Sequence, residues 1–173
     1  EEATKSEVSV LLIPGIGTKG DLQEAAKLGA KMVRVATHVT EADVAAQHIG
    51  LGRELGLKTA GFLMMAHMAS VEKIVEQAKL FESYGAEVTD RVAALKDTLQ
   101  CEVGFHAHNN LSMAMANTVA AVGAGATFID GSLRALGAGA GNTQTEIMVA
   151  VLEKSGYKTG IDLYEIIDVA DQV

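Results

Sequence analysis

Apolar residues along the chain fall into two rhythms, short continuous runs and runs spaced three to four residues apart, and the two alternate. "VSVLLIPG" is a β-branched run ended by Pro14 and Gly15, and it predicts a buried strand. "TKGDLQEAAKLGA" follows, with Leu22, Ala25, Ala26 and Gly29 on one helical face. The unit then repeats. "KMVRVAT" predicts a strand, "TEADVAAQHIGLGRELG" a helix with Thr40 at its N-cap, and "KTAGFLMMA" a strand. "SVEKIVEQAKLFESYGA" predicts a helix capped by Ser70, with Val71, Ile74, Val75, Ala78 and Phe81 as its stripe and Gly85 placed as a C-cap. Further on, "CEVGFHA" and "TFID" predict strands. "NLSMAMANTVAAVGAGA", with Leu111, Met115, Thr118, Val119 and Val122 as its stripe, predicts a helix, as do "NTQTEIMVAVLEKSG" and "DLYEIIDVADQV". Buried strands alternating with amphipathic helices predict an α/β fold, a parallel sheet covered by helices.

One interval breaks the rhythm. Strand centres fall near residues 10, 33, 61, 104 and 128, so the steps are about 23, 28, 43 and 24 residues, against roughly 25–30 for a βα unit. Within the long step the helix ending at "SYGA" runs directly into a second helical pattern, "EVTDRVAALKDTLQ", with Val88, Val92 and Leu95 on one face. No strand is expected between Ala86 and Glu87. Two helices meeting with no strand between them would break the alternation that the rest of the chain obeys, so a segment is expected to be missing at that join, with the two residues not covalent neighbours in the folded protein.

Composition narrows the function. At 173 residues the chain suits one domain or part of a larger one, and 49% apolar content is that of an ordered globular protein. A net charge of −8 without a basic cluster argues against nucleic acid or an anionic membrane as partner, and favours a small molecule or a protein. The single cysteine, Cys101, excludes an internal disulfide and a multi-Cys zinc motif and is expected as a buried structural thiol. No apolar run approaches a membrane span and "EEATKSEVSV" is too charged for a signal peptide, which together suggest a cytoplasmic setting.

In parallel α/β folds ligands bind beyond the carboxyl ends of the strands. The residues expected on that rim are "PGIGT", Thr37 and His38, His67, "HAHNN", Asp130 with Ser132, and "RALGAGAGN". His106 and His108 are the strongest signal. Residues two apart on a strand face the same way, about 6–7 Å apart at Cα, within reach of one cation. The competing reading is a pair of polar residues closing a strand; the strand-end position favours metal. Two imidazoles are too few for octahedral Mn²⁺ or Mg²⁺, and Asn142 offers a carbonyl oxygen but no carboxylate is obvious. "GAGAGN" lacks the Lys-Ser/Thr end of a P-loop and reads as a loop passing close to a site rather than a phosphate cradle. His48 lies within a helix and reads as a packing or surface residue, while His38 and His67 are rim candidates for substrate contact.

These segments resemble the 4-hydroxy-2-oxovalerate aldolases of the HMG-CoA-lyase-like group, metal-dependent (β/α)₈ TIM barrels. The likeness rests on "VSVLLIPGIGTKGDLQEAAKLGAKMVRVATHVTEADVAAQHI", "GFLMMAHMAS", "AKLFESYGA" and, most specifically, the run from "HAHNNLS" to "GAGAGN" and on to the final residue. The resemblance implies aldol cleavage of a 4-hydroxy-2-oxoacid, such as 4-hydroxy-2-oxopentanoate, to pyruvate and an aldehyde in aromatic or steroid catabolism. It implies a divalent ion, usually Mn²⁺, with Mg²⁺ or another ion as alternatives, held by His106 and His108 and acting as a Lewis acid. His106 would also lie against the substrate. An acylating acetaldehyde dehydrogenase that receives the aldehyde through a channel is the implied protein partner.

The sequence also departs from that pattern. The family's metal-binding aspartate, an adjacent arginine and a histidine base come from a first barrel strand that would precede Glu1. A substrate-binding serine in a "VDSAG"-type loop would follow the "ESYGA" element, where Glu87 follows Ala86 instead, and a tyrosine would lie beyond Val173. The expectation is therefore an incomplete barrel over 1–173 holding part of a site. Either the chain is a fragment, or it is the remainder of a longer protein. Two other readings stand beside the aldolase: a non-catalytic module keeping a docking surface for the dehydrogenase, and a Claisen-type lyase or synthase of the same barrel group.

Overall fold

The computed structural model describes residues 6–85, 87–89 and 92–173, and the chain divides into two compact units, Glu1–Val103 and Gly104–Val173. The first unit runs β1 (Ser9–Leu12), α1 (Lys19–Lys27), β2 (Met32–His38), a 3₁₀ turn (Ala42–Ala45), α2 (Ala46–Glu54), β3 (Lys58–Met64), α3 (Val71–Ser83), β4 (Glu87–Thr89) and α4 (Val92–Lys96). Each strand pairs in parallel with the one before it. The registers are Ser9↔Met32, Met32↔Lys58 and Ala60↔Glu87. Parallel pairing needs a crossover, and the helices supply it.

Local chemistry sets the helix starts. Thr18 opens α1 with a reciprocal box: its Oγ1 accepts from the Asp21 backbone N–H, and the Asp21 carboxylate accepts from the Thr18 N–H. Ser70 caps α3 through a bond from the Lys73 N–H, as its sequence predicts. Thr40 does not cap. The chain takes a 3₁₀ turn first, α2 begins at Ala46 with no side-chain cap, and the Thr40 hydroxyl lies 2.9 Å from His38 Nδ1.

Two glycines let the helices lie close on the sheet. A Cβ on Gly52 of α2 would fall 2.8 Å from Thr59 and 2.9 Å from Val33, and one on Gly61 of β3 would strike the Phe81 ring of α3. Phe81, Ile74, Ile49, Val33 and Val35 are fully buried in this layer, and a side chain of their size contributes about 1.5–3 kcal/mol on burial.

The third βα step differs from its expectation. Glu87–Thr89 is a strand on the edge of β3, and the helix begins only at Val92. The heptad-like spacing of Val88, Val92 and Leu95 mimics one continuous helix, but the Val-Thr pair takes the sheet hydrogen bonds that β3 offers. The expected break between Ala86 and Glu87 involves Ala86, which lies outside the described residues.

The second unit, from Gly104, takes in all of β5 (Val103–His106) but its first residue, then α5 (Ala114–Gly123), β6 (Phe128–Asp130), α6 (Thr145–Lys154) and α7 (Leu163–Ala170). β5 and β6 are parallel, with Gly104↔Phe128 and His106↔Asp130 in register. α5 starts later than its pattern predicts, because Leu111 and Ser112 take left-handed backbone angles, φ 58° and 56°. Its buried face is Ala114, Thr118 and Ala121, whereas Leu111, expected in the stripe, is 93% exposed. Small residues, not the larger apolar ones, form the face that packs. Thr118 and Thr143 are both buried, with hydroxyls 3.0 Å apart, which ties α5 to the loop before α6. Among the described residues no helix is long and apolar enough to cross a membrane.

Candidate metal site

His106 ends β5 and His108 lies two residues on, so the extended backbone sends both rings to one side. Their Nε2 atoms are 3.3 Å apart, with the rings nearly perpendicular at 77°. Two nitrogens each about 2.1 Å from a shared ion would be separated by roughly 3.0 Å at a right angle and 3.4 Å at a tetrahedral one. The observed spacing fits a pair of cis ligands. One N–H···N bond between neutral rings fits it as well.

Asp130, in register with His106 on the neighbouring strand, brings Oδ2 to 3.3 Å from His106 Nδ1. That nitrogen faces away from His108, so the carboxylate sits behind the pair and not between its members.

The glycine-rich loop closes on the same strand end. Asn142 forms an antiparallel bridge with His108, the Thr143 N–H donates to the Ala107 carbonyl at 3.2 Å, and the Asn109 N–H donates to the Gly141 carbonyl at 2.7 Å. A side chain at Gly137 would collide with the Asn142 amide and one at Gly141 with the Ala135 carbonyl, so the close-approach reading of "GAGAGN" holds. Asn142 is half-buried. Its Nδ2 donates to the Leu136 carbonyl at 2.9 Å, while Oδ1, itself buried, accepts no hydrogen bond among the described residues. An enclosed amide oxygen beside the histidines suits a hard cation. A cavity of about 170 Å³ adjoins, lined by Asn109, Ser112, Met115, Asn142, Thr143 and Gln144.

Non-glycine residues in left-handed conformation gather in this unit. Leu111 and Ser112 follow β5, and Arg134 and Ala135 (φ 51° and 58°) follow β6. Each costs on the order of 1–3 kcal/mol, and such strain concentrates at functional sites.

Among the described residues no three of His, Cys, Asp and Glu form a group able to hold a metal. The two imidazoles and the Asn142 oxygen are the donors present, and the donor set is incomplete without a carboxylate. His38 and His67 belong to the first unit, His38 against Thr40 and His67 on a 3₁₀ turn, Ala66–Met68. His48 is buried on α2, in agreement with a packing role. Ser132 donates its hydroxyl to the Leu136 carbonyl. Cys101 is half-buried rather than buried, and its N–H, with that of Gln100, donates to the Glu82 carboxylate. A larger apolar cavity of about 420 Å³ runs between β1 and α1, lined mainly by Leu11, Leu12, Ile13, Ile16 and Leu22. It holds no convergent donors.

Spacing alone finds His106 and His108. Asp130 needs the strand register, and Asn142 needs the path of the glycine loop, which no short motif encodes.

A family model described as HMGL-like matches residues 86–173. The chain is 62% identical over 184 residues to a protein named 4-hydroxy-2-oxovalerate aldolase from Geobacillus stearothermophilus, covering 98% of this chain and 54% of that protein. A protein of the same name from Bacillus thuringiensis (strain Al Hakam) is 59% identical over 188 residues, covering all of this chain and 55% of its own length. The chain thus spans about half the length of the curated relatives it matches. Among solved structures, the carboxyl transferase domain from Rhizobium etli pyruvate carboxylase with pyruvate superposes with a TM-score of 0.82 at 19% identity, over 95% of this chain and 33% of that one. At that identity the likeness is one of fold.

Proposed function

This chain belongs to the HMGL-like family, and on that premise we propose that it is part of a divalent-metal aldolase cleaving a 4-hydroxy-2-oxoacid, such as 4-hydroxy-2-oxopentanoate, to pyruvate and an aldehyde. The observation that carries the reading is the 3.3 Å approach of the His106 and His108 Nε2 atoms at a strand end. The 62% identity to a relative named for this activity supports it. In the reaction the C3–C4 bond breaks, the C4 hydroxyl loses its proton as the aldehyde forms, and the electron pair passes to an enolate that is reprotonated at C3. A bound divalent cation, Mn²⁺ by preference, with Mg²⁺ or another ion as alternatives, would supply Lewis-acid polarisation of the keto acid.

His106 and His108 hold that ion, and His106 also lies against the substrate. Asn142, bridged to His108, offers Oδ1 as a neutral oxygen donor. The general base, an enolate-stabilising cation and the carboxylate ligand belong to segments outside these 173 residues. The same reading includes an incomplete (β/α)₈ barrel over 1–173, a missing segment at the Ala86–Glu87 join, a cytoplasmic setting and an acylating acetaldehyde dehydrogenase as partner. A matched stretch of 188 positions against 173 residues supports residues missing from within the matched region, without placing them at that join.

The test is pyruvate release from 4-hydroxy-2-oxopentanoate. The 173-residue protein alone should show no useful turnover, because open sheet edges and a solvated site join the missing groups. Extending it with the remaining barrel of a relative should restore Mn²⁺-dependent release. Release that survives replacement of both histidines would refute the reading.

A further inference from the structure

Resting on that metal-site reading, we propose that Asp130 is a positioning residue: its carboxylate accepts a hydrogen bond from the Nδ1–H of His106 and so fixes the tautomer that presents the Nε2 lone pair to the cation. The argument starts from register. His106 and Asp130 are the last residues of adjacent parallel strands and are paired directly, so their side chains leave the same face of the sheet at the same height. Asp130 Oδ2 stands 3.3 Å from Nδ1, on the far side of the ring from His108. Nδ1 is enclosed, and the His106 side chain is 18% exposed, so solvent cannot readily supply an alternative acceptor.

A neutral imidazole carries one proton. If Nδ1 holds it beside a carboxylate, Nε2 is left as the acceptor. The Nε2···Nε2 separation of 3.3 Å then has a consistent account without metal: His108 donates Nε2–H to His106 Nε2. On cation binding His108 moves its proton to Nδ1 and His106 changes nothing. The two histidines are thus inequivalent, one preset and one adjustable. At this spacing Asp130 reaches the back of the His106 ring, which is why it serves the site without being a ligand.

Two readouts separate this from a merely structural role. In the metal-free protein at about pH 8, long-range ¹H–¹⁵N correlation should show His106 protonated at Nδ1, and Asp130→Asn should shift it toward the Nε2–H tautomer. Mn²⁺ titration should show Asp130→Asn and Asp130→Ala weakened about 10–100-fold, with Asp130→Glu recovering part of the loss. Circular dichroism and thermal unfolding of each variant report whether the fold survives. If the variants keep wild-type Mn²⁺ affinity, or His106 is already protonated at Nε2 in the wild type, the positioning role is wrong while the metal site stands. If the wild type itself binds no Mn²⁺ in a His106- and His108-dependent way, the metal reading fails, and the tautomer measurement alone still decides whether Asp130 orients His106.

Discussion

His106 and His108 show how much a short motif discloses. Alternation along a strand places both rings on one face whatever surrounds them, so the pair was legible from spacing. Replacing either by alanine should weaken Mn²⁺ binding roughly 10–100-fold or more, taking losses at supporting residues as a lower bound. Calorimetric titration checks this, and unchanged affinity in both variants would remove the ligand assignment. Asp130 and Asn142 were less legible because their roles depend on partners distant in sequence. Asp130 stood on the predicted rim, but only the His106↔Asp130 register says which atom it meets. Asn142 was a candidate oxygen donor, and the bridge to His108 is what brings it there.

Elements were legible where their apolar residues were large and misleading where they were small. α3 follows its pattern, with Ser70 capping and Ile74, Ala78 and Phe81 buried. α5 hides Ala114 and Ala121, which lack the bulk that marks an apolar stripe, and β4 sits inside a helical pattern because three residues carry too little period to separate strand from helix. The contact between β3 and α3 gives a direct test. Gly61→Ala places a methyl group into the Phe81 ring, and overpacking of this kind costs about 1–3 kcal/mol. Urea unfolding should show that loss, and the added change Phe81→Leu should return part of it.

Near the end of α6, the Glu153 carboxylate accepts from the Thr159 hydroxyl and backbone N–H, at 2.7 and 2.8 Å. Those bonds, the hydroxyl's foremost, hold its carboxyl below the ordinary glutamate range. A lowered folded-state pKa adds stability above the ordinary value, and that stability is lost as pH falls through the folded one. Glu153→Gln should therefore be less stable than wild type at neutral pH. The difference should close as melts are taken progressively below about pH 4.5.

At the scale of the whole molecule, alternation of strand and helix was enough to give the α/β class and the parallel pairing within each unit. The expected partial barrel and the join at Ala86 rest on the family reading. One feature of the first unit reaches into time as well as space. Each of β2, β3 and β4 pairs with its immediate predecessor in sequence, so each new strand closes a single βα connection. Loop-closure entropy stays small at each step, and the sheet can assemble by adding one strand after another to whichever pair forms first. β2 and β3 share the longest register, seven paired residues from Met32↔Lys58 to His38↔Met64, and they cover the fully buried Val33 and Val35. They are the natural seed. Native-state hydrogen exchange should find its slowest amides there, with protection falling toward β1 on one side and β4 on the other.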